Sequence, residues 1–346
     1  MRIELNARNR GLQFDARSGE PLLYAGLRAG HELPYECGTG TCGTCKARLV
    51  SGSVRDAWPQ APGRAHLKPG QNEVLLCQCI AEGNSTFEVS AFVKAADPGA
   101  CTPDAFAGVL RNARTLTQDV LAFRVELDEP RDFDAGQFVV MAAPGIDGFR
   151  AYSMVNFERG ARRLEFVVKK KPGGGFSELL FDGARDGMPL ALFGPLGKAT
   201  FYPAIGKNIL CIAGGSGIAG MMSILSRAEQ EKYFARHRGW VYFGVRTMSD
   251  AFFLDELSAL RARFPERLAV TVALSDEAVP AAARDWPKLS FARGLVHEVA
   301  KRTMAGNYQN VRAYVAGPPP AVDAALRVLL LDAKLTADNI CYDKFS

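Results

Sequence analysis

Apolar and polar positions alternate with three different rhythms along the chain. Over residues 1–93, short runs such as Arg2-Ile3-Glu4-Leu5 and Thr86-Phe87-Glu88-Val89 alternate with turn residues around one helical stretch from Pro21 to Ala29. Period-two alternation over so few residues reads as half-buried strand, so a small mixed sheet with one helix is expected. The run Lys94-Ala95-Ala96-Asp97-Pro98-Gly99-Ala100 is small and polar, and a linker over 94–103 follows from it. From 104 to 203 the signals are strand-like, for example Leu121–Leu127 and Leu164–Val168, which predicts an antiparallel β-barrel or sandwich. From 204 to 346 strands alternate with helices: Asn208–Ala213, a helix, Trp240–Phe243, then a helix from Leu254 to Phe264. That order predicts a parallel α/β sheet with crossover helices. No internal repeat or low-complexity segment is present.

Composition adds bounds. The 346 residues can hold two or three domains with a core each, and 48% apolar and 23% charged residues are ordinary for a globular protein. No run approaches the roughly 18 apolar residues of a membrane span. The opening Met1-Arg2-Ile3-Glu4 leads into a strand pattern without a signal-peptide profile, so a cytoplasmic location is expected. A net charge of +5 is modest, and Lys169-Lys170-Lys171 is the one basic block, so nucleic acid is not implied. Eight cysteines without a secretion signal argue for metal binding over a disulfide framework.

The run Cys37-Gly38-Thr39-Gly40-Thr41-Cys42-Gly43-Thr44-Cys45 reads C-x4-C-x2-C, and 31 residues separate Cys45 from Cys77. This is the ligand spacing of a plant-type 2Fe-2S ferredoxin. Four thiolates converging on two irons need a tightly wound backbone, and Gly38, Gly40 and Gly43 can take positive φ at little cost. Cys77 and Cys79 both lie in the strand-like run Val74–Cys79 and compete as fourth ligand. The closing cysteine of ferredoxins is often preceded by apolar residues and followed by Gln or Thr, so the resemblance favours Cys77-Gln78. It also implies a β-grasp fold for this region. A structural zinc site is the alternative for C-x2-C, but His31 and His66 do not supply the usual second half-site. Cys101, Cys211 and Cys341 read as structural residues.

Downstream, Arg150-Ala151-Tyr152-Ser153 has the R-x-Y-S pattern, Lys170-Lys171-Pro172-Gly173-Gly174-Gly175-Phe176-Ser177 follows about 25 residues after Arg150, and Phe193-Gly194-Pro195-Leu196-Gly197 comes next. Their order resembles the ferredoxin-NADP reductase superfamily. The resemblance implies FAD, with Arg150 on its pyrophosphate, Tyr152 packed on the isoalloxazine and Ser153 near N5. Arg150 would grip phosphate as a fork, and Tyr152 would supply a flat face. Gly174, Gly175 and Ser177 would present backbone amides to phosphate ahead of a Ser177–Phe181 helix.

The third region opens with Gly214-Gly215-Ser216-Gly217-Ile218-Ala219-Gly220 after a predicted strand, where a pyrophosphate would rest against a helix start. Its partner is Ala316-Gly317-Pro318-Pro319-Pro320, which in the family lies beside the nicotinamide. The chain departs from the family in having Gly220 where Pro is usual and Ala316 where Cys is frequent, both near the expected nicotinamide. Asp276 and Glu277 stand where NADP-dependent relatives tend to place Ser-Arg. Carboxylates would repel a 2′-phosphate and accept from a free ribose hydroxyl, so NADH is expected, with Arg246 as the counterargument. The ending Tyr342-Asp343-Lys344-Phe345-Ser346 offers Phe345 as the terminal aromatic covering the flavin.

The three regions in this order resemble the NADH-dependent reductase components of bacterial oxygenases, the group of xylene, toluene and phenol monooxygenase and benzoate dioxygenase reductases. The resemblance implies electron flow from NADH through FAD and a 2Fe-2S cluster to an oxygenase hydroxylase component or a Rieske or ferredoxin acceptor. It also implies that the cluster loop is partly exposed and that the chain is monomeric, with Glu32 and Glu36 flanking the loop. Two other readings stay open: a reductase for a deoxysugar dehydratase, and a zinc-stabilised binding module without redox activity. No acid–base dyad or activated nucleophile is needed by the main reading.

Overall fold

The computed structural model describes residues 1–97, 99–183 and 186–345. Pro98 of the expected linker and the terminal Ser346 lie outside the described residues.

Alternation in Arg2–Asn6 and Gly11–Asp15 puts Ile3, Leu5, Leu12 and Phe14 on one buried face, and the two strands form an antiparallel hairpin. Arg2–Asn6 then pairs in parallel with Ser85–Glu88, and the five-stranded sheet runs Gly11–Asp15, Arg2–Asn6, Ser85–Glu88, Lys46–Ser51, Glu73–Leu75. The helix Leu22–Arg28 buries six of its seven residues, with Pro21 just before it supplying a preset φ. This is a β-grasp. The run Val74–Cys79, expected as one strand, is broken: Glu73–Leu75 belongs to the main sheet, Leu76–Gln78 forms a turn, and Cys79–Ala81 pairs with Val54–Asp56 in a separate ladder.

The middle region is an antiparallel six-stranded sheet ordered Arg150–Ser153, Phe138–Ala142, Pro189–Leu196, Asp104–Thr117, Val120–Arg131, Ala161–Lys169. It curls towards closure, since the Val155 amide donates to the Glu165 carbonyl at 2.8 Å and the Glu165 amide to Asn156 Oδ1 at 2.9 Å. The helix after the glycine loop runs Gly175–Gly183, longer than the expected Ser177–Phe181.

The last region is a wholly parallel sheet ordered Ser290–Arg293, Leu268–Leu274, Gly239–Val245, Asn208–Gly214, Val311–Gly317, Ile340–Lys344. Helices Ile218–Gln230, Leu254–Arg263, Val296–Thr303 and Pro319–Arg327 cover it. The edge strand Ile340–Lys344 did not stand out in the sequence, because five residues of mixed polarity carry no clean period. One apolar core runs from the barrel (Phe123, Phe166, Met154) into the parallel sheet (Phe243, Tyr314) and the helix Ile218–Gln230 (Ile224), and another runs from the β-grasp (Tyr24, Phe87) into barrel residues Phe138, Val140, Phe193 and Leu196. Among the described residues no helix is long and apolar enough to cross a membrane.

Candidate redox site

Between the helix Leu22–Arg28 and the strand Lys46–Ser51 the chain winds through Gly38, Gly40 and Gly43, whose φ values are +68°, +89° and +75°. Space is short as well as φ unusual: a Cβ at Gly43 would come within 2.7 Å of His66. The winding gathers four thiols as two pairs. Cys45 Sγ lies 3.3 Å from Cys77 Sγ. The Cys37 thiol is pulled down to about 4, first by hydrogen bonding with Cys42, whose own thiol is pushed above its ordinary range by the same partner. Amides converge on the sulfurs: Thr39 N–H on Cys37 at 3.4 Å, Thr44 N–H on Cys42 at 3.5 Å, and the Gln78 side-chain amide on Cys77 at 3.7 Å. Amides aimed at sulfur stabilise thiolate. The Cys79 thiol is pushed up to about 12, chiefly by burial, and its backbone is tied opposite Asp56 in the side ladder. The broken strand thus points the two cysteines to different places.

The loop is half enclosed. Cys37 to Gly40 are buried, whereas Thr41, Cys42 and Thr44 keep partial exposure. A Cβ on Gly38 would touch Leu196 and Val140 of the barrel at 3.6 and 3.8 Å. Behind the loop, the Tyr24 hydroxyl donates to the Gly38 carbonyl at 3.0 Å, and its ring stacks on Phe193 with centroids 4.3 Å apart and planes 8° from parallel. Gly197 N–H donates to the Tyr35 hydroxyl at 3.0 Å. The Phe193–Gly197 run therefore faces the β-grasp. Tyr24 and Tyr35 were missed by sequence reasoning, because an aromatic on an amphipathic helix or in a loop looks like any other packed residue, and Gln78 entered only as the neighbour that favours Cys77.

On the barrel, Arg150–Ser153 is a strand paired with Phe138–Met141. Tyr152 is half-buried, 5.4 Å from Phe176 at 31°, and its hydroxyl is pushed up by burial. Arg150 Nη1 donates to the carbonyls of Phe149 at 3.0 Å and Asp147 at 3.4 Å, and its guanidinium sits 5.6 Å over Trp58 of the β-grasp, another residue without a sequence signal. Ser177 Oγ accepts from Lys171 N–H at 3.0 Å and donates to the Gly174 carbonyl at 2.9 Å, closing the glycine loop on itself. A Cβ at Gly174 would come within 2.8 Å of Lys171 O and Ser177 Oγ, while Gly175 starts the helix.

In the parallel sheet, Gly214 ends one strand and Gly215-Ser216-Gly217 forms a single turn leading into the helix at Ile218. A Cβ at Gly217 would lie 2.3 Å from Ala316 O, and one at Gly317 3.0 Å from Gly214 O, so the two glycine turns need glycine to abut backbone to backbone. Pro318 Cδ would meet a Gly214 Cβ at 3.3 Å. At Gly220 a Cβ would lie 3.8 Å from Ser153 Cβ, which brings the start of this helix against the barrel strand. Phe345 N–H donates to Gly317 O at 3.0 Å, carried there by the edge strand. Asp276 is exposed and accepts from Ser275 Oγ at 2.6 Å. The Glu277 carboxylate instead accepts from the Met248 amide, so it caps a turn. The two carboxylates expected to act together face different jobs.

Three domain families match in the same order: a 2Fe-2S iron-sulfur cluster binding domain over residues 5–82, an oxidoreductase FAD-binding domain over 107–201 and an oxidoreductase NAD-binding domain over 211–327. The chain is 34% identical over 344 residues to the ferredoxin–NAD(+) reductase component of an alkene monooxygenase system from Xanthobacter autotrophicus, covering 97% of this chain and 99% of that protein. It is 30% identical over 322 residues to a xylene/toluene monooxygenase electron transfer component from Pseudomonas putida, covering 93% of this chain and 87% of that one. Among solved structures, a ferredoxin reductase in carbazole 1,9a-dioxygenase superposes with a TM-score of 0.84 at 30% identity, over 100% of this chain and 99% of that chain. With these three domains in this order and relatives of this identity along nearly its whole length, the chain belongs to the ferredoxin–NAD reductases of the ferredoxin-NADP reductase family.

Proposed function

We propose that the protein is the reductase component of a bacterial multicomponent oxygenase, most simply one acting on an aromatic or other hydrocarbon. Bound FAD would take a hydride from NADH and release the electrons singly to a 2Fe-2S cluster, from which a protein partner draws them. The observation that carries the reading is the packing of the paired thiols, through Gly38, directly on the flavin barrel. Cys37 with Cys42 and Cys45 with Cys77 suit the two irons of such a cluster, two thiolates each. Thr39, Thr44 and Gln78 would donate to the cluster sulfurs through their amides, and Tyr24 holds the loop against the barrel.

The other roles follow from placement. Arg150 would turn from its carbonyl partners to the FAD pyrophosphate, and Tyr152 and Phe345 would bracket the isoalloxazine. Ser153 would hydrogen-bond near N5. Gly174, Gly175 and Ser177 would shape the loop that accepts phosphate. Gly214, Gly215, Ser216 and Gly217 would take the NADH pyrophosphate at a helix start. Gly317 and Pro318 would border the nicotinamide, and Asp276 the adenosine ribose. The domains would span 1–93, 104–203 and 204–346, with 94–103 as linker, and the protein would work in the cytoplasm on an oxygenase or ferredoxin acceptor. Thr41, Cys42 and Thr44, the accessible side of the loop, would meet that acceptor across a small transient contact. The similarity to a reductase from a carbazole dioxygenase favours, as second reading, a dioxygenase partner.

An anaerobic absorption spectrum before and after NADH tests this. Overlapping flavin and iron–sulfur bands should bleach within seconds. Cys77→Ser should lose most of its iron while Cys79→Ser retains it. A colourless protein, or one holding zinc instead of iron, would sink the reading.

A further inference from the structure

Dinucleotides lie beyond the carboxyl ends of parallel strands, and the cation at the end of Gly239–Val245 is Arg246. Its side chain is 61% exposed, yet it is engaged on two sides: Nη2 lies 3.1 Å from Asp250 Oδ1 and 3.8 Å from Asp119 Oδ2. Asp250 is fixed in turn, accepting from Thr247 N–H at 3.2 Å and Thr247 Oγ1 at 3.1 Å in a capping box over Met248–Asp250. Asp119 comes from another module, the tip of the barrel hairpin between Asp104–Thr117 and Val120–Arg131. There Lys169 Nζ holds it at 3.0 Å and Thr117 Oγ1 at 3.2 Å. Asp276, whose amide donates to the Arg246 carbonyl at 2.9 Å, adds a third carboxylate nearby.

A nearby arginine is what accommodates a 2′-phosphate, because the guanidinium fork matches phosphate oxygens. For Arg246 to do so it must leave Asp250 and Asp119, and both carboxylates would then lack its charge while facing the phosphate, Asp250 keeping only its bonds from Thr247 and Asp119 those from Lys169 and Thr117. We propose that Asp250 and Asp119 clamp Arg246 away from a 2′-phosphate and thereby set the preference for NADH over NADPH, with the Asp119 half of the clamp supplied by the flavin barrel. Nucleotide choice then depends on how the barrel is docked on the dinucleotide sheet, not on the sheet alone. The proposal rests on reading that sheet as the nicotinamide nucleotide site.

Asp250→Asn keeps an oxygen to accept from Thr247, and Asp119→Asn keeps one for Thr117, so each neutralises a carboxylate with little change of shape. Each variant, alone and combined with Arg246→Ala, is titrated calorimetrically with adenosine 2′,5′-bisphosphate and with 5′-AMP, and NADPH and NADH turnover are compared. Since exposed charge pairs contribute modestly, each Asn variant should bind the 2′,5′-bisphosphate about three- to fivefold tighter, with a matching fall in the NADPH KM and a much smaller change for 5′-AMP. Arg246→Ala should erase the gain. A gain that survives Arg246→Ala, or that is equal for 5′-AMP, overturns the clamp. Wild-type protein that binds 5′-AMP while the Asn variants gain nothing also overturns it and leaves the nucleotide-site reading standing. Wild-type protein that binds neither nucleotide removes both.

Discussion

The flavin barrel is docked on both sides, and the two seams are built differently. Towards the β-grasp the contact is mainly aromatic and apolar: Tyr24 stacks on Phe193 and meets Phe149 edge-on at 5.6 Å, with Leu196 and Val140 against Gly38, and its polar links include the Gly197 N–H to Tyr35 hydroxyl bond and the exposed Arg17–Asp104 pair. Towards the parallel sheet an apolar core is crossed by buried polar links. Arg227 Nη1 reaches Asp134 Oδ1 at 2.9 Å and the Phe201 carbonyl at 2.8 Å, and the pair is 8% and 5% exposed. Ser223 Oγ donates to Asn156 O at 2.8 Å and Gln230 to Phe157 O at 2.8 Å. Dispersion fixes a distance but is non-directional, which suffices for electrons passing between two centres. Directional hydrogen bonds and an ion pair fix an orientation, which hydride transfer needs because reacting atoms must be aligned at near contact.

Breaking the polar seam should cost most. Arg227→Ala leaves the enclosed Asp134 with the half-exposed Arg159 at 3.4 Å and the Tyr202 hydroxyl at 3.2 Å, neither of which replaces the buried ion pair, and should destabilise by about 3–5 kcal/mol in urea titration. A paired replacement, Arg227→Met with Asp134→Leu, should recover much of this stability yet slow hydride transfer measured by stopped-flow, because direction is lost and area is kept.

Tyr24→Leu attacks the aromatic seam. It removes a stacked pair and a hydrogen bond to Gly38 O while keeping an apolar side chain, for a loss of about 2 kcal/mol. The expected signature is slower flavin-to-cluster transfer with reduction of flavin by NADH little altered.

Where the C-terminal strand approaches the cluster loop, the half-buried Asp343 carboxyl is pushed up to about 7, by desolvation first and then by Glu36. Folded protein then binds the proton more tightly than unfolded chain, whose carboxyl titrates near about 3.9. Stability is therefore fully present below about 4 and declines as pH rises to about 7, by roughly 1–2 kcal/mol once solvent access is allowed for. Asp343→Asn should flatten that slope in melts recorded from pH 4.5 to 8.

The smallest effect is expected at the rim of the aromatic seam. Arg17 and Asp104 pair at 3.0 Å but are 58% and 39% exposed, so Asp104→Asn should cost less than about 1 kcal/mol and nothing at high salt.

Chemistry concentrated in one stretch of chain was legible, because a cluster loop or a phosphate turn is local: its thiols, glycines and turn geometry must be neighbours in sequence. The spacing Cys37, Cys42, Cys45 and the runs around Arg150, Gly174, Gly215 and Gly317 could thus be found without a structure. The architecture of three sheets was legible too, since period-two runs and strand–helix alternation reflect which face each element buries. The helix Leu22–Arg28 was visible as a helix, but nothing in it singled out Tyr24 as the residue behind the cluster loop.

Contacts between modules needed the tertiary structure. Cys77 and Cys79 sit in one apolar run, and only the break at Leu76–Gln78, forced by two different strand partners, turns Cys77 towards Cys45. Trp58 under Arg150, Asp119 beside Arg246 and Gly220 against Ser153 are each more than 60 residues apart in sequence and share no local pattern. Phe345 reaches Gly317 because Ile340–Lys344 finds an open edge beside Val311–Gly317, a pairing its own five residues do not encode. The sequence by itself determined which chemistry each module carries, because that depends on residue type and spacing over a few turns of chain. How the modules meet, and hence how charge and orientation are shared among them, was decided by packing between surfaces that only the folded chain brings together.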